Sequence, residues 1–164
     1  PAVISQLVEL VTKEGKSPKT EVVGKSAKYI LDKIGITVGD DVKVILMEAK
    51  EDHPFVQVEL MMPILPLVRV PDVDQAIEMA VRVEHGNRHT AMMHSRNVEK
   101  LTKMAKLIQT TIFVKNGPSY AGIGVGGEGY TTFTIAGPTG EGLTSAKSFA
   151  RRRRCVLVGG MDVR

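Results

Sequence analysis

The sequence has no tryptophan, and aromatic residues make up only 4% of it. That leaves few of the stacking surfaces on which single-stranded nucleic acids are held. One cysteine, Cys155, excludes an internal disulfide and agrees with a reducing compartment. No apolar run approaches the roughly 20 residues needed to span a bilayer, and no basic-plus-apolar leader opens the chain. These shortages predict a soluble, cytoplasmic protein with no membrane partner. Basic charge is also scarcer than it first looks. The formal charge is +4, but Arg151 to Arg154 carry four positive charges and the remainder is balanced. Nucleic acid is therefore not the expected partner.

What the chain has in abundance is glycine, concentrated in one place. Gly122, Gly124, Gly126, Gly127 and Gly129 follow the apolar strand Ile112 to Val114 and the turn Asn116-Gly117-Pro118. So many missing side chains permit positive φ and a close approach of the backbone to a ligand or to another part of the protein. The spacing satisfies G-x-G-x-x-G twice, yet a dinucleotide loop needs a helix opening just after the glycines to hold the pyrophosphate. Here the β-branched and aromatic run Tyr130 to Ile135 follows. A structural or inter-subunit loop near a cleft is the expected reading.

Before that stretch the chain alternates between two periods. Ile4, Leu7, Val8 and Val11 form one helical face that Gly15 can end, and Ser26 caps a second helix running to Gly35, with Ala27, Ile30, Leu31 and Ile34 inward. Val42 to Met47 and the alternating Val56 to Leu60 read as strands. Then come a strand (Leu67 to Val70), a helix (Val73 to His85), a strand (Thr90 to His94), a helix (Val98 to Gln109) and a strand (Thr111 to Lys115). Asp72 and Gln75 stand in capping-box spacing before the first of these helices. Strands alternating with amphipathic helices predict an α/β fold with an open, mostly parallel sheet flanked by helices. In such sheets ligands gather outside the carboxyl ends of the strands. Gly140 to Ser148 offers a short helix, and Cys155 to Val158 has strand composition and needs a pairing partner.

Few residues suit chemistry. His53, His85, His89 and His94 lack a metal-binding pattern, since Gly86 breaks the i, i+4 pair of His85 and His89, so no metal site is expected. His89 or His94 could serve as a cleft acid or base, against the plainer reading of a solvated loop histidine. Cys155 follows four arginines that would lower its thiol pKa, but it also opens an apolar run where a cysteine is commonly a small buried hydrophobe. Arg151 to Arg154 could grip the phosphates of a coenzyme or nucleic acid, or pair with carboxylates at an edge or interface. Glu59 sits near the end of an expected strand.

Four segments together resemble the C-terminal part of the CoA-acylating aldehyde dehydrogenases of bacterial ethanolamine and propanediol utilisation. They are HPFVQVELMMPILPLVRV (His53 to Val70), EHGNRHTAMMHS (Glu84 to Ser95), TTIFVKNGPSYAG (Thr110 to Gly122) and GGEGYTTFTIAGPTGEGLTSAKSFARRRRC (Gly126 to Cys155). The resemblance implies oxidation of a short aliphatic aldehyde, acetaldehyde or propionaldehyde, with NAD and coenzyme A, through a cysteine thioester. It implies that residues 1–121 are part of the catalytic α/β domain and residues 122–164 a glycine-rich segment with an oligomerisation tail. It places the nucleophilic cysteine and the Rossmann half upstream of Pro1. No catalytic nucleophile is then expected in this chain, and the chain alone is expected to be inactive. Glu59 in E-L-M-M-P resembles the family glutamate that bonds the nicotinamide ribose; Pro63 matches, while Met61 and Met62 replace an aromatic and a glycine. Asn116, Gly117, Thr132 and Phe133 resemble segments approaching the substrate pocket, and His89 is the candidate acid or base. A homo-oligomer, a microcompartment location, a shell and an alcohol dehydrogenase complete the implied setting. The rival reading is a phosphate- or nucleic-acid-binding module built on Arg151 to Arg154.

Overall fold

A computed structural model describes residues 2–127, 146–156 and 158. The chain divides into two compact units, Pro1–Val83 and Glu84–Arg164.

The N-terminal unit opens with α1 (Ala2–Val11), which buries Leu7 and Val11 and leaves Ile4 and Val8 partly covered. Its end is fixed by Thr12, whose hydroxyl donates to the Val8 carbonyl at 2.6 Å and accepts the Gly15 N–H at 3.0 Å. A small antiparallel ribbon, β1 (Thr12–Lys13) with β2 (Ser17–Pro18), follows. In α2 (Ala27–Asp32) the Ser26 side chain accepts the Tyr29 N–H at 3.2 Å, as its capping position predicts. Strands β3 (Ile45–Glu48) and β4 (Ile64–Leu67) pair in parallel, with Ile45 opposite Ile64 and Glu48 opposite Leu67. Leu7, Val11, Val22, Ile30, Met47, Phe55, Leu60 and Ile64 make one core cluster. The unit closes with α4 (Val73–Val83), capped by Asp72, which accepts the Gln75 N–H at 2.9 Å. That bond lowers the Asp72 pKa, because it stabilises the carboxylate.

Two expectations in this unit need correction. Val56 to Leu60 is not a strand: residues 54–57 form a helical turn, α3 (Pro54–Gln57), and Val58 to Leu60 lie outside any strand. The cause is local. Pro54 takes the first helical position and His53 caps the turn, its Nδ1 accepting the Phe55 N–H at 3.1 Å, so helix initiation overrides the alternation. The strand expected at Leu67 to Val70 is instead Ile64–Leu67 and contains Pro66. The carbonyls of Pro63 and Leu67 accept the Ile45 and Ala49 N–H groups, so Pro66, out of phase with them, turns its missing donor away from β3.

The C-terminal unit is a strand–helix–strand crossover. Strands β5 (Thr90–Met93) and β6 (Ile112–Lys115) pair in parallel, Thr90 opposite Ile112 and Met93 opposite Lys115, joined by α5 (Val98–Ile108). Asn97 caps α5, accepting the Lys100 N–H at 3.0 Å, and Gln109 ends it in the left-handed conformation. Leu101, Met104, Ile108, Ile112 and Val114 are buried. Among the described residues the strands thus form three two-stranded ladders, two of them parallel, with β4 and β5 in different ladders.

After β6 a 3-10 turn covers Ser119–Ile123. Two of the glycines approach this unit's own side chains: a Cβ on Gly122 would run into Ile112 and Val114, and one on Gly127 would lie 2.8 Å from the Ala121 Cβ. Gly124 and Gly126 have positive φ. A second 3-10 turn, Ala146–Phe149, falls at the end of the helix expected from Gly140. Tyr130 to Ile135, with Thr132 and Phe133, lies outside the described residues.

Candidate functional site

The candidate residues divide between the two units. In the N-terminal unit, Glu59 is exposed, and the chain turns sharply after it because Met61 holds φ 53°. A non-glycine residue in that region costs about 1–3 kcal/mol, so the fold must over-determine it. It does so in part through the Met61 carbonyl, which accepts the Gly24 N–H at 3.1 Å. This contact seats Met61, Met62 and Pro63 in the wall of a cavity of about 580 Å³. Lys25, Lys28 and Lys43 line the same cavity against a single carboxylate, Asp40. Asp40 is engaged from two sides: Lys28 Nζ lies 3.1 Å from its carboxylate, and Lys43 Nζ donates to its carbonyl at 2.5 Å. The cavity is left with an excess of positive charge, suited to a phosphate-bearing ligand. Glu59 itself is not among its lining residues. The lysines were not singled out in the sequence, because Lys25 precedes α2, Lys28 lies in its first turn and Lys43 comes from the segment before β3.

In the C-terminal unit, His89 lines a smaller cavity of about 310 Å³ with Thr90, Met92, Ile112, Ser119, Tyr120 and Ile123. It sits just before the first residue of β5, in a segment carrying unusual strain. His85 and Arg88 have φ 54° and 53°, with Gly86 at 75° between them. The Glu84 carboxylate accepts the His89 N–H at 3.1 Å, and Nδ1 of the ring lies 2.7 Å from Thr90 Oγ1. The apolar wall of Met92, Ile112 and Ile123 beside one imidazole can shelter a small organic group while a proton moves.

Asn116 and Gly117 do not line that cavity. The Asn116 amide is spent on the other strand end: Oδ1 accepts the Ser95 N–H at 2.7 Å, and Nδ2 donates to the Ser95 carbonyl at 3.0 Å. With φ at 56° and its own N–H on the Met93 carbonyl at 2.9 Å, Asn116 staples the carboxyl ends of β5 and β6 together. Gly117 packs beside Val114 and Ala121. The bonds between Asn116 and Ser95 join residues 21 apart, which no local motif announces.

The remaining candidates stand apart. A third cavity, of about 620 Å³, runs along α1 and includes His53, whose Nδ1 is already bonded to the Phe55 N–H. No cluster of three or more histidine, cysteine, aspartate or glutamate residues able to hold a metal occurs among the described residues. Cys155 is exposed, as are Arg151 to Arg154, which corrects the reading of Cys155 as a buried hydrophobe. The reason is that residues 151–156 form neither helix nor strand, so no ladder covers them. No described helix is long and apolar enough to cross a membrane.

Comparison with known proteins places these features. The model of the aldehyde dehydrogenase family matches residues 42–141. The chain is 52% identical over 165 residues to a CoA-propanoylating propanal dehydrogenase of Salmonella typhimurium, a match covering 100% of this chain and 35% of that protein. Its structure is similar, with a TM-score of 0.88 at 70% identity, to the Rhodopseudomonas palustris propionaldehyde dehydrogenase solved with bound CoA and an acylated cysteine. That match covers 96% of this chain and 36% of the other. A propionaldehyde dehydrogenase from the Clostridium phytofermentans fucose utilisation bacterial microcompartment matches at 51% identity and a TM-score of 0.83, covering 93% and 35%. The chain therefore spans about a third of the length of these relatives. The expected α/β architecture is the one that they share, and the chain belongs to the aldehyde dehydrogenase family.

Proposed function

We propose that this chain supplies one third of a CoA-acylating aldehyde dehydrogenase that oxidises a short aliphatic aldehyde, propanal foremost, to its acyl-CoA. The single observation that carries the reading is the 70% identity to the Rhodopseudomonas palustris propionaldehyde dehydrogenase across nearly the whole chain. The exposed outer face of the β3–β4 pair agrees with it. Leu46 and Leu65, directly opposite each other, are 63% and 56% exposed, whereas parallel pairs are normally covered on both faces. Further polypeptide of the same enzyme would cover them.

The lysine-lined cavity beside Met61 to Pro63 suits a phosphate-bearing ligand, and Glu59, which lies outside its lining, is assigned to the nicotinamide ribose on the family motif alone. NAD supplies the hydride acceptor. His89 acts as the acid or base, taking the proton of the coenzyme A thiol, which then attacks the acyl group. Aldehyde, NAD and CoA thereby give acyl-CoA, NADH and one proton, which the imidazole passes to water. Asn116 and Gly117 act indirectly, by fixing the ends of β5 and β6 and the turn that follows, and Thr132 and Phe133 are assigned to the substrate pocket on the family resemblance alone. Residues 1–121 belong to the catalytic α/β domain and residues 122–164 to the glycine-rich segment and oligomerisation tail. A homo-oligomer in the cytoplasm, within a microcompartment and served by an alcohol dehydrogenase, is the proposed setting. The microcompartment origin of the Clostridium phytofermentans relative supports the microcompartment part of that setting.

The reacting thiolate is proposed to come from outside residues 1–164. Cys155 is exposed, and none of the hydrogen bonds or ion pairs among the described residues gives it a base. The test is a chimera in which this sequence replaces the corresponding third of the Rhodopseudomonas palustris enzyme. The chimera should turn over propanal with NAD and CoA. His89→Ala should lower its kcat by about 10²–10⁴-fold, the usual contribution of general acid–base catalysis. Full activity of the His89→Ala chimera would remove the histidine from the mechanism.

A further inference from the structure

His89 is anchored at more points than a solvated loop histidine needs. Its N–H is held by the Glu84 carboxylate at 3.1 Å, its carbonyl accepts the Ile112 N–H at 3.3 Å, and the Arg88 carbonyl before it accepts the Thr111 N–H at 2.9 Å. Side chains of adjacent residues in an extended strand point to opposite faces. Those of His89 and Thr90 nevertheless meet, with Nδ1 2.7 Å from Oγ1, where the strained turn His85 to Arg88 delivers the chain into β5. Nε2 has no hydrogen bond to any described residue, and both residues line the 310 Å³ cavity. Which ring nitrogen of a histidine carries the proton is set by the bond that the other makes.

We propose that Thr90 is a positioning residue whose hydroxyl oxygen accepts Nδ1–H of His89, selecting the tautomer that keeps the Nε2 lone pair free for a proton arriving from the cavity. This rests on the acid–base reading of His89 given above. When Nε2 takes the proton, the imidazolium keeps its Nδ1–H bond to Thr90, so the ring does not have to turn during transfer. Threonine suits the task because its branched side chain is restricted about χ1 and holds the oxygen still. A free histidine in water favours the opposite, Nε2–H form, so the selected tautomer is diagnostic.

Nitrogen-15 spectra of the neutral imidazoles report the tautomer directly. They are recorded on the 164-residue chain and, with only histidine labelled, on the chimera. The expected result is Nδ1–H at His89 in the unsubstituted protein and in Thr90→Ser, and Nε2–H in Thr90→Val, which keeps the shape and loses the hydroxyl. An Nε2–H form in the unsubstituted protein, or no change in Thr90→Val, overturns the proposal. In the chimera, Thr90→Val should lower kcat by about tenfold, on the order of one well-placed hydrogen bond, while the KM for propanal stays within about twofold and Thr90→Ser restores kcat. An unchanged kcat, or a fall in Thr90→Ser equal to that in Thr90→Val, also overturns it. A fully active His89→Ala chimera sinks the acid–base reading instead, and the spectra then decide the Thr90 contact by themselves.

Discussion

The N-terminal unit joins one buried apolar cluster to a lysine-lined cavity, whereas the C-terminal unit ties its strand ends and its histidine segment together with side-chain hydrogen bonds. In the former, eight buried residues from α1, α2, α3, β3, β4 and the segments between them form one cluster, and Lys25, Lys28 and Lys43 stand apart from it around a cavity. In the latter, Asn116, Glu84, Thr90 and Thr111 tie strand ends and the His89 segment together with hydrogen bonds. A cavity read by charge tolerates small movements of its walls, because Coulomb attraction falls off slowly. A proton-transfer site does not, since it depends on hydrogen-bond reach. The two constructions agree with the roles proposed for them, a cavity for a phosphate-bearing ligand and a pocket for a proton.

This contrast can be broken by substitution. The largest expected loss is in the buried cluster: Phe55→Ala removes a ring that is 3% exposed and should cost about 3–5 kcal/mol in denaturant-induced unfolding. A cost below about 1 kcal/mol would mean that the N-terminal core is not organised around that ring. Next comes Gly122→Ala in the C-terminal unit, where the added Cβ meets Ile112 and Val114. Overpacking of this kind costs about 1–3 kcal/mol. Because Ile112 also lines the His89 cavity, the chimera carrying this change should lose activity as well as stability, and stability loss with unaltered kinetics would separate the two.

The smallest effect is expected at an exposed helix cap and sharpens the comparison through pH. Asp72 has its folded pKa lowered, chiefly by the Gln75 backbone N–H. Its contribution is therefore full above the unfolded carboxylate pKa and disappears as the pH falls through the lower folded value. Asp72→Asn, which keeps a capping oxygen without a titrating charge, should flatten that part of the acid unfolding curve. A curve that keeps the same slope would assign acid sensitivity to other carboxylates.

How far the sequence foretold this molecule depended on how local the cause was. Ser26, Asp72 with Gln75, and the α4–β5–α5–β6 alternation were readable because caps and periodicity act within a few residues. Val56 to Leu60 misled because His53 and Pro54 start a helical turn over the same residues, and strand β4 was displaced because Pro66 sits harmlessly on its unpaired side. The glycine region announced a close approach but not its partners, Ile112, Val114 and Ala121. His89 was readable as a candidate, and Thr90 beside it was not, because only the turn before β5 brings neighbouring side chains onto one side. The three lysines of the 580 Å³ cavity come from α2, the residue two before it and the segment before β3, which the fold alone assembles.

The proposed division of labour, walls and a base here and the reacting sulfur elsewhere, is tested by steady-state turnover of propanal with NAD and CoA by the 164-residue chain itself, with and without Cys155→Ser. No acyl-CoA or NADH should form in either case. Turnover that Cys155→Ser abolishes would place the nucleophile in this chain and overturn the assignment.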